Sequence, residues 1–258
     1  MRLYAFHCGG ENSLRSLFDP MDPACGEAMV VPYFFFLIQH AGVNVLFDTG
    51  MHPDTIDHKA RHFGADADLY DLLMAPGDDA ASLLAQVGVA PADVAHIVQS
   101  HLHYDHAGGL TLFPEATVHV HRDERPFALW PPAYQRDPAQ FVRREFEGVA
   151  NWHEIEGEYD VLGDGRLVTF PTPGHTKGHQ SLLVHLDSGP VVLVGDAAYD
   201  LAKMRQRRLP SVLWSPDAMV ASWERLEALE RTLGAVLLTS HDVDFADHRR
   251  LAPDAWYE

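Results

Sequence analysis

Cysteine is scarce in this chain: Cys8 and Cys25 are the only two among 258 residues. Two thiols cannot build a disulfide framework or a thiolate zinc cage. Both read as small buried hydrophobes; whether they pair stays open, although a reducing compartment disfavours it. Basic charge is also short, since 19 Lys and Arg against 37 Asp and Glu leave a formal net charge of −18. Such a surface repels phosphate backbones, and the one locally basic stretch, Arg205 to Arg208, reads as a solvated loop, so nucleic acid is not an expected partner. No apolar run is long enough for a membrane helix. The opening Met1-Arg2-Leu3-Tyr4 looks like the start of a strand and not like a signal peptide, so a cytoplasmic protein with no membrane partner is the expectation. No low-complexity tract or linker divides the chain. With 47% hydrophobic and 22% charged residues the composition is ordinary for a globular protein, and residues 1–258 are read as a single α/β domain.

Histidine is plentiful, with 17 residues. The run His101-Leu102-His103-Tyr104-Asp105-His106 places three imidazoles and a carboxylate directly after an apolar stretch. First-row divalent ions take imidazole nitrogen and carboxylate oxygen, and a hydrolytic centre keeps a position for water, so the run suits a metal site. His175, Asp196 and His241 add further candidates, each again following an apolar run. Ala95 to Ser100, Leu167 to Phe170, Val191 to Gly195 and Ala235 to Ser240 read as short buried strands. If these strands lie in packed sheets, the residues beyond their carboxyl ends converge on one edge and separate segments build one cluster.

Other elements are legible more coarsely. Strands are expected over Arg2 to His7, Tyr33 to Ile38, Val43 to Phe47 and Thr117 to His121, and a helix from Asp78 to Gly88. The clearest helix opens at Ser215-Pro216-Asp217 and ends at Gly234. Its stripe of Met219, Trp223, Leu226, Leu229 and Leu233 should pack on a sheet. His52, His58 and His62 are not tied to strand ends and read as solvent-facing. His119 and His121 alternate with valines and share one sheet face. Gly108-Gly109 permits close backbone approach, and residues 122–150 read as a helical, aromatic insertion forming a wall. Strands in both halves separated by helices imply two sheets between helical layers.

These residues resemble the metallo-β-lactamase superfamily, whose HxHxDH signature stands as His101 to His106 with His175, Asp196 and His241 in the later positions. Within it the chain is similar to the N-acyl-homoserine lactonases, through the segments at 101–109, Thr172 to Leu182, Asp196-Ala197-Ala198-Tyr199 and Ser240-His241-Asp242. The resemblance spans nearly the whole chain. It implies an αββα four-layer sandwich, two divalent metal ions and ring-opening hydrolysis of lactones. By motif, His101, His103 and His175 would hold one ion, Asp105, His106 and His241 the second, with Asp196 bridging. Tyr199 matches a tyrosine that reaches the substrate carbonyl; without that match it would read as a packed aromatic. Asp48 and Asp242 are candidates for orienting ligand imidazoles, or for capping turns.

The expected chemistry follows from the ions. A water on such a centre can have its pKa lowered to about 7, so a metal-bridging hydroxide would attack the lactone carbonyl, Tyr199 would stabilise the oxyanion, and Asp105 would pass a proton to the departing ring oxygen. Zinc comes first among the metals, with iron, cobalt and manganese compatible with the same donors. The substrate is expected to be a small lactone, an N-acyl homoserine lactone first. Leu17 to Tyr33, Phe63 to Met74 and Phe127 to Tyr134 could line an acyl groove, form core, or face a second copy in a homodimer. A glyoxalase-II-like thioesterase is the nearest rival, disfavoured by the little sequence after His241, and another lactone is the other. A β-lactamase reading suffers because Asp196 stands where many such enzymes place a Cys. A structural metal protein is less consistent with seven N and O donors and no thiolate.

Overall fold

The computed structural model describes residues 1–132, 140–243 and 251–258; Tyr134, a candidate wall residue, lies outside them. Among the described residues the strands form two sheets. The first contains β1 (Arg2–Leu14), β2 (Ala28–His40), β3 (Val43–Phe47), β4 (Leu72–Leu73), β5 (Val94–Val98), β6 (Thr117–His121) and β7 (Trp152–Ile155), in the order β4-β1-β2-β3-β5-β6-β7. The second contains β8 (Tyr159–Asp160), β9 (Leu167–Pro171), β10 (Gln180–Leu186), β11 (Gly189–Gly195) and β12 (Val236–Thr239), in the order β12-β11-β10-β9-β8. The four strands expected to end at candidate ligands are present as β5, β9, β11 and β12. β1 and β2 extend well beyond the apolar runs that marked them, because their polar ends still pair with each other from Arg2↔Gln39 to Leu14↔Ala28.

Period-two alternation explains the layering. Leu3 and Ala5 of β1, with Phe34, Phe36 and Ile38 of β2, meet Leu182, Val184, Val191 and Leu193 of the second sheet in one buried cluster between the sheets. Their alternates, Tyr4, Phe6, Phe35 and Leu37, point the other way. On that outer face lie α1 (Asp54–Asp57), α2 (Lys59–Phe63), α3 (Ala80–Ala85), α4 (Tyr104–Ala107) and α5 (Glu124–Leu129), of which α2 to α5 contribute Phe63, Leu84, Ala107 and Phe127 to the outer cluster. The second sheet's outer face, through Leu183, Val192, Val194 and Leu237, takes α6 (Leu201–Arg205) and α7 (Pro216–Leu233). The result is the expected αββα sandwich. None of the described helices is long and apolar enough to cross a membrane.

Local chemistry sets the ends of the helices. In α7 the Ser215 side chain accepts from Ala218 N–H and Gly234 closes the helix at φ 68°. Met219, Trp223 and Leu226 are fully buried as the stripe requires, but Leu233 in the last turn is 45% exposed. The helix expected from Asp78 begins later, at Ala80, since Asp79 is its cap and Asp78 instead accepts from Ala75 N–H. Cys8 and Cys25 are both free thiols.

The polar stretch 51–77 departs from expectation. His58 is exposed, but His62 is 2% exposed and His52 is half-buried. The reason is a hidden acid: Glu145, itself fully buried, lies 2.6 Å from His62 Nε2. Burial holds the His62 imidazole down to about 4 and pushes the Glu145 carboxyl well up.

Candidate metal centre

Four loops at one edge of the sandwich carry the candidate ligands. His101 and His103 leave β5, and α4 follows at once with Asp105 and His106; His175 follows β9, Asp196 follows β11, and His241 follows β12. Glycine makes two of these approaches possible. A side chain on Gly108 would meet His52 N at 2.4 Å, and one on Gly195, already at φ +55°, would meet His179 Nε2 at 2.8 Å.

All seven expected ligands meet. His101 Nε2 lies 3.0 Å from His103 Nδ1 and 3.2 Å from His175 Nε2, which is 2.9 Å from His103 Nδ1. A second group has His106 Nε2 and His241 Nε2 3.2 Å apart, with Asp105 Oδ2 at 3.3 and 3.4 Å from them. The Asp196 carboxylate serves both groups: Oδ1 lies 3.1 and 3.0 Å from His106 and His241, and Oδ2 lies 3.3 Å from His175. A neutral imidazole has one N–H and one lone pair, so three ring nitrogens about 3 Å apart cannot all be satisfied by one another. A shared cation satisfies them, and an edge of this length suits nitrogen ligands at about 2.0–2.1 Å from a tetrahedral ion. The donor set therefore fits divalent metal, the class of ion that the fold implies.

The rings are held from behind. Asp48 accepts from His106 Nδ1 at 2.8 Å while taking Ser100 N–H at 2.8 Å, Ser100 Oγ at 2.8 Å and Gln99 Nε2 at 3.1 Å. The expectation for Asp48 is thus met in its contacts. For His241 the partner behind the ring is a backbone oxygen, the Pro32 carbonyl, 3.0 Å from Nδ1. Val212 O lies 3.2 Å from His175 Nδ1.

Two participants were not foreseen. Glu124, at the start of α5 and fully buried, accepts from Leu102 N–H at 3.0 Å, Gly178 N–H at 3.0 Å and Thr176 Oγ at 2.7 Å. It ties the loop of His101 and His103 to the loop of His175. Burial pushes its carboxyl up to about 7, against those donated hydrogen bonds. His179 accepts from Asp196 N–H at 3.0 Å and fixes the loop after β11. Neither carried a local signal: Glu124 stands in a charged run that looks solvated.

The electrostatics follow from composition. Burial opposes charge on His106, but Asp196, Asp105 and Asp48 overcome it and raise its pKa well above the usual value. His101 and His103, buried and facing other imidazoles, are held well below theirs. Burial works against the Asp196 carboxylate, and His106, His241 and His175 overcome it, so Asp196 stays ionised.

Tyr199 stands over the cluster, its ring 5.3 Å from His241 and 5.7 Å from His175 and stacked on Phe18 at 5.2 Å. Burial, then Asp196 and Asp105, raise its hydroxyl far above the ordinary phenol value, so it remains an O–H donor. Phe18, Tyr33, Tyr104 and Tyr199 line a pocket with Asp105, Asp196 and His241 at its base. Of the candidate wall segments, Leu17 to Tyr33 reaches this pocket through Leu17, Phe18, Val31 and Tyr33, whereas Phe63 packs behind, against Tyr104. A separate group of His52, Asp54 and His62 also brings donors together, but Arg61 already holds the Asp54 carboxylate at 2.6 Å.

The comparisons with known proteins agree with this geometry. N-acyl homoserine lactonase AttM of Azorhizobium caulinodans is 35% identical over 242 residues, 92% of this chain and 88% of that protein. N-acyl homoserine lactonase AiiA of Bacillus thuringiensis subsp. kurstaki is 29% identical, over 89% of this chain and 88% of its own length. A solved N-acyl homoserine lactone hydrolase, with the product N-hexanoyl-L-homoserine bound at its catalytic metal centre, superposes with a TM-score of 0.84 at 26% identity over 98% of both chains. The sequence pattern of the metallo-beta-lactamase superfamily matches residues 29–241, from β2 through every candidate ligand to His241; with its sandwich and its converging histidines, the chain belongs to that superfamily.

Proposed function

We propose that this chain, as one domain over residues 1–258, is a metal-dependent lactonase that opens the ring of N-acyl homoserine lactones, as quorum quenching requires. In this reading His101, His103 and His175 would hold one divalent ion, Asp105, His106 and His241 would hold the second, and Asp196 would serve both, with zinc as the first expectation. The observation that carries the reading is the shared carboxylate: each Asp196 oxygen faces a different donor group, beneath a pocket on which Tyr199 places a phenol. The names of the relatives point to the same substrate class.

Bound ions of this kind lower the pKa of water to about 7 and polarise a carbonyl. The protein's own contribution is placement. Tyr199 keeps its proton and donates to the carbonyl oxygen as negative charge develops there, an interaction stronger in the transition state than in the ground state. Asp105, at the pocket base, takes the proton released by the attacking water and returns it to the departing ring oxygen. Asp48 and Glu124 hold His106 and the His101/His103 loop in place, so these rings need not reorganise during the reaction. A cytoplasmic homodimer completes the proposal, and light scattering tests the assembly.

A hydrolysis panel tests the activity. Purified, metal-loaded protein should acidify unbuffered N-acyl homoserine lactones and yield the ring-opened acid; activity on thioesters or phosphodiesters with none on lactones would overturn the reading. Tyr199→Phe should lower turnover by about 10²-fold, as loss of an oxyanion donor does, with metal content unchanged. Full turnover in that variant removes Tyr199 from its role.

A further inference from the structure

The pocket above the metal centre contains a carboxylate that the proposed chemistry does not use. Glu11 of β1 lines it beside Tyr33, Tyr104 and Tyr199. The position comes from a slip in strand register. β1 pairs with β2 as His7↔Phe34 before the slip and as Gly10↔Pro32 and Glu11↔Val31 after it, so one extra residue is inserted between His7 and Gly10. Without that bulge, Glu11 would share the parity of Leu3 and Ala5 and face the apolar layer between the sheets. With it, Glu11 shares the face of Val31 and Tyr33, which is the pocket face.

The carboxylate is also held in place. Tyr104 Oη donates to Glu11 Oε2 at 3.1 Å, and Tyr33 Oη stands 2.9 Å from Tyr104 Oη. Tyr33 in turn packs edge-on against His241 with ring centroids 5.2 Å apart, on a ring that Tyr199 also flanks at 5.3 Å. Glu11 and Tyr199 therefore stand on walls of the same small pocket, reached from His241 through Tyr33 on one side and directly on the other. A carboxylate is an acceptor only, and burial without a cation is costly. Burial and Asp105 push the Glu11 carboxyl up, with the tyrosine hydroxyls working against them. Among the described pocket residues, Glu11 is the acidic side chain outside the seven expected ligands. Such a group rewards a substrate that brings its own donor.

We infer that Glu11, set by Tyr104 and Tyr33, is a specificity residue that accepts the N–H on the carbon next to the scissile lactone carbonyl. The inference rests on the lactonase reading and narrows it: the preferred lactones carry a secondary amide at that carbon. With the carbonyl oxygen under Tyr199, an N–H one carbon away is directed at the neighbouring wall, and Glu11 supplies the acceptor there. A lactone with no N–H would cover the carboxylate without adding a donor to the one that Tyr104 supplies, and the cost falls on that substrate.

The test compares N-hexanoyl homoserine lactone with its N-methyl amide, which keeps the acyl chain and loses the N–H. The metal-loaded wild type should prefer the secondary amide by about 10- to 100-fold in kcat/KM, the range for a hydrogen bond to a charged group. Glu11→Leu should lose that factor on the secondary amide, chiefly through KM, and change little on the N-methyl compound, so the two substrates become nearly equal. Glu11→Gln, which retains an acceptor oxygen and the wild-type shape, should fall between, and Tyr104→Phe should lower the preference by releasing the carboxylate. Metal content and Tm of each variant separate these effects from misfolding. Equal losses on both substrates, or a wild type indifferent to the N–H, overturn the inference while leaving lactonase activity intact. A wild type that opens neither lactone removes the lactonase reading and this inference with it.

Discussion

Two groups of histidines in this protein are built from similar parts but sit in different electrostatic surroundings. At the metal centre five imidazoles meet with ring nitrogens about 3 Å apart. On the first sheet, His96, His119 and His153 lie across three neighbouring parallel strands, with His119 2.9 Å from His153 and 3.1 Å from His96. The difference is the carboxylates. Asp48, Asp105 and Asp196 raise His106 well above the ordinary imidazole value, whereas burial and the two neighbouring rings hold His119 down to about 3. Beside the carboxylates His106 takes up positive charge, whereas imidazoles that mainly face other rings, His119 here and His101 and His103 at the centre, resist it. Clustered histidines alone are therefore a poor sign of a metal site; convergence of lone pairs on a shared carboxylate is the better one.

The strongest way to break this comparison is to remove the shared carboxylate. Asp196→Ala leaves all five imidazoles but no bridge between the two groups. Metal content measured on the purified variant should fall by half or more. Hydrolysis should drop by more than about 10³-fold, since metal stabilisation of the transition state is worth several kcal/mol. Bound metal and near-normal activity would mean that the carboxylate is not what distinguishes the two clusters. Chelation should abolish wild-type activity and added metal restore it, while the His96/His119/His153 group plays no part.

A smaller effect is expected at Glu124. Glu124→Ala strands two backbone N–H groups and a threonine hydroxyl in a buried place, at about 1–3 kcal/mol for each donor left unpaired. It also frees the loops of His101, His103 and His175, so metal affinity should fall about 10- to 100-fold, as for other residues that orient ligands. Competition with a chromophoric chelator reads the affinity and thermal unfolding reads the stability. An unchanged metal affinity with lowered stability would reduce Glu124 to a structural clasp.

How much of this was legible depends on how locally each feature is written. β3 and β6 match their expected bounds because their apolar or alternating runs are short and flanked by breakers. His101 to His106 declare themselves because four donors share one hexapeptide. His175, Asp196 and His241 stand out because each follows an apolar run that reads as a buried strand, whereas Tyr199 needed the resemblance, since an aromatic residue after a strand is ordinary. Glu11, Glu124 and the His62/Glu145 pair were out of reach: each is an acid or base in a polar stretch, where solvation is the usual fate, and each is drawn out of solvent, Glu11 only in part, by a partner distant in sequence. A one-residue bulge in β1 decides which way Glu11 faces, and nothing in Cys8-Gly9-Gly10 says on which side of the strand it falls.

The smallest expected effect sharpens the other half of the comparison. The unfolded chain carries His119 with an ordinary value of 6.5, while the folded protein holds it at about 3. Between those values the unfolded state binds a proton that the folded state refuses, so stability is full above about pH 6.5 and is lost as pH falls through the window. At pH 5 the loss from this one group is roughly 2 kcal/mol. His119→Phe keeps a planar ring of similar size against Tyr159 and His153 and cannot be protonated. Urea unfolding of wild type and variant at pH 7 and pH 5 should therefore show a wild-type deficit at the lower pH that the variant largely lacks. Equal slopes in the two proteins would show that the trio accommodates the proton and that its difference from the metal centre is one of position, with charge playing little part.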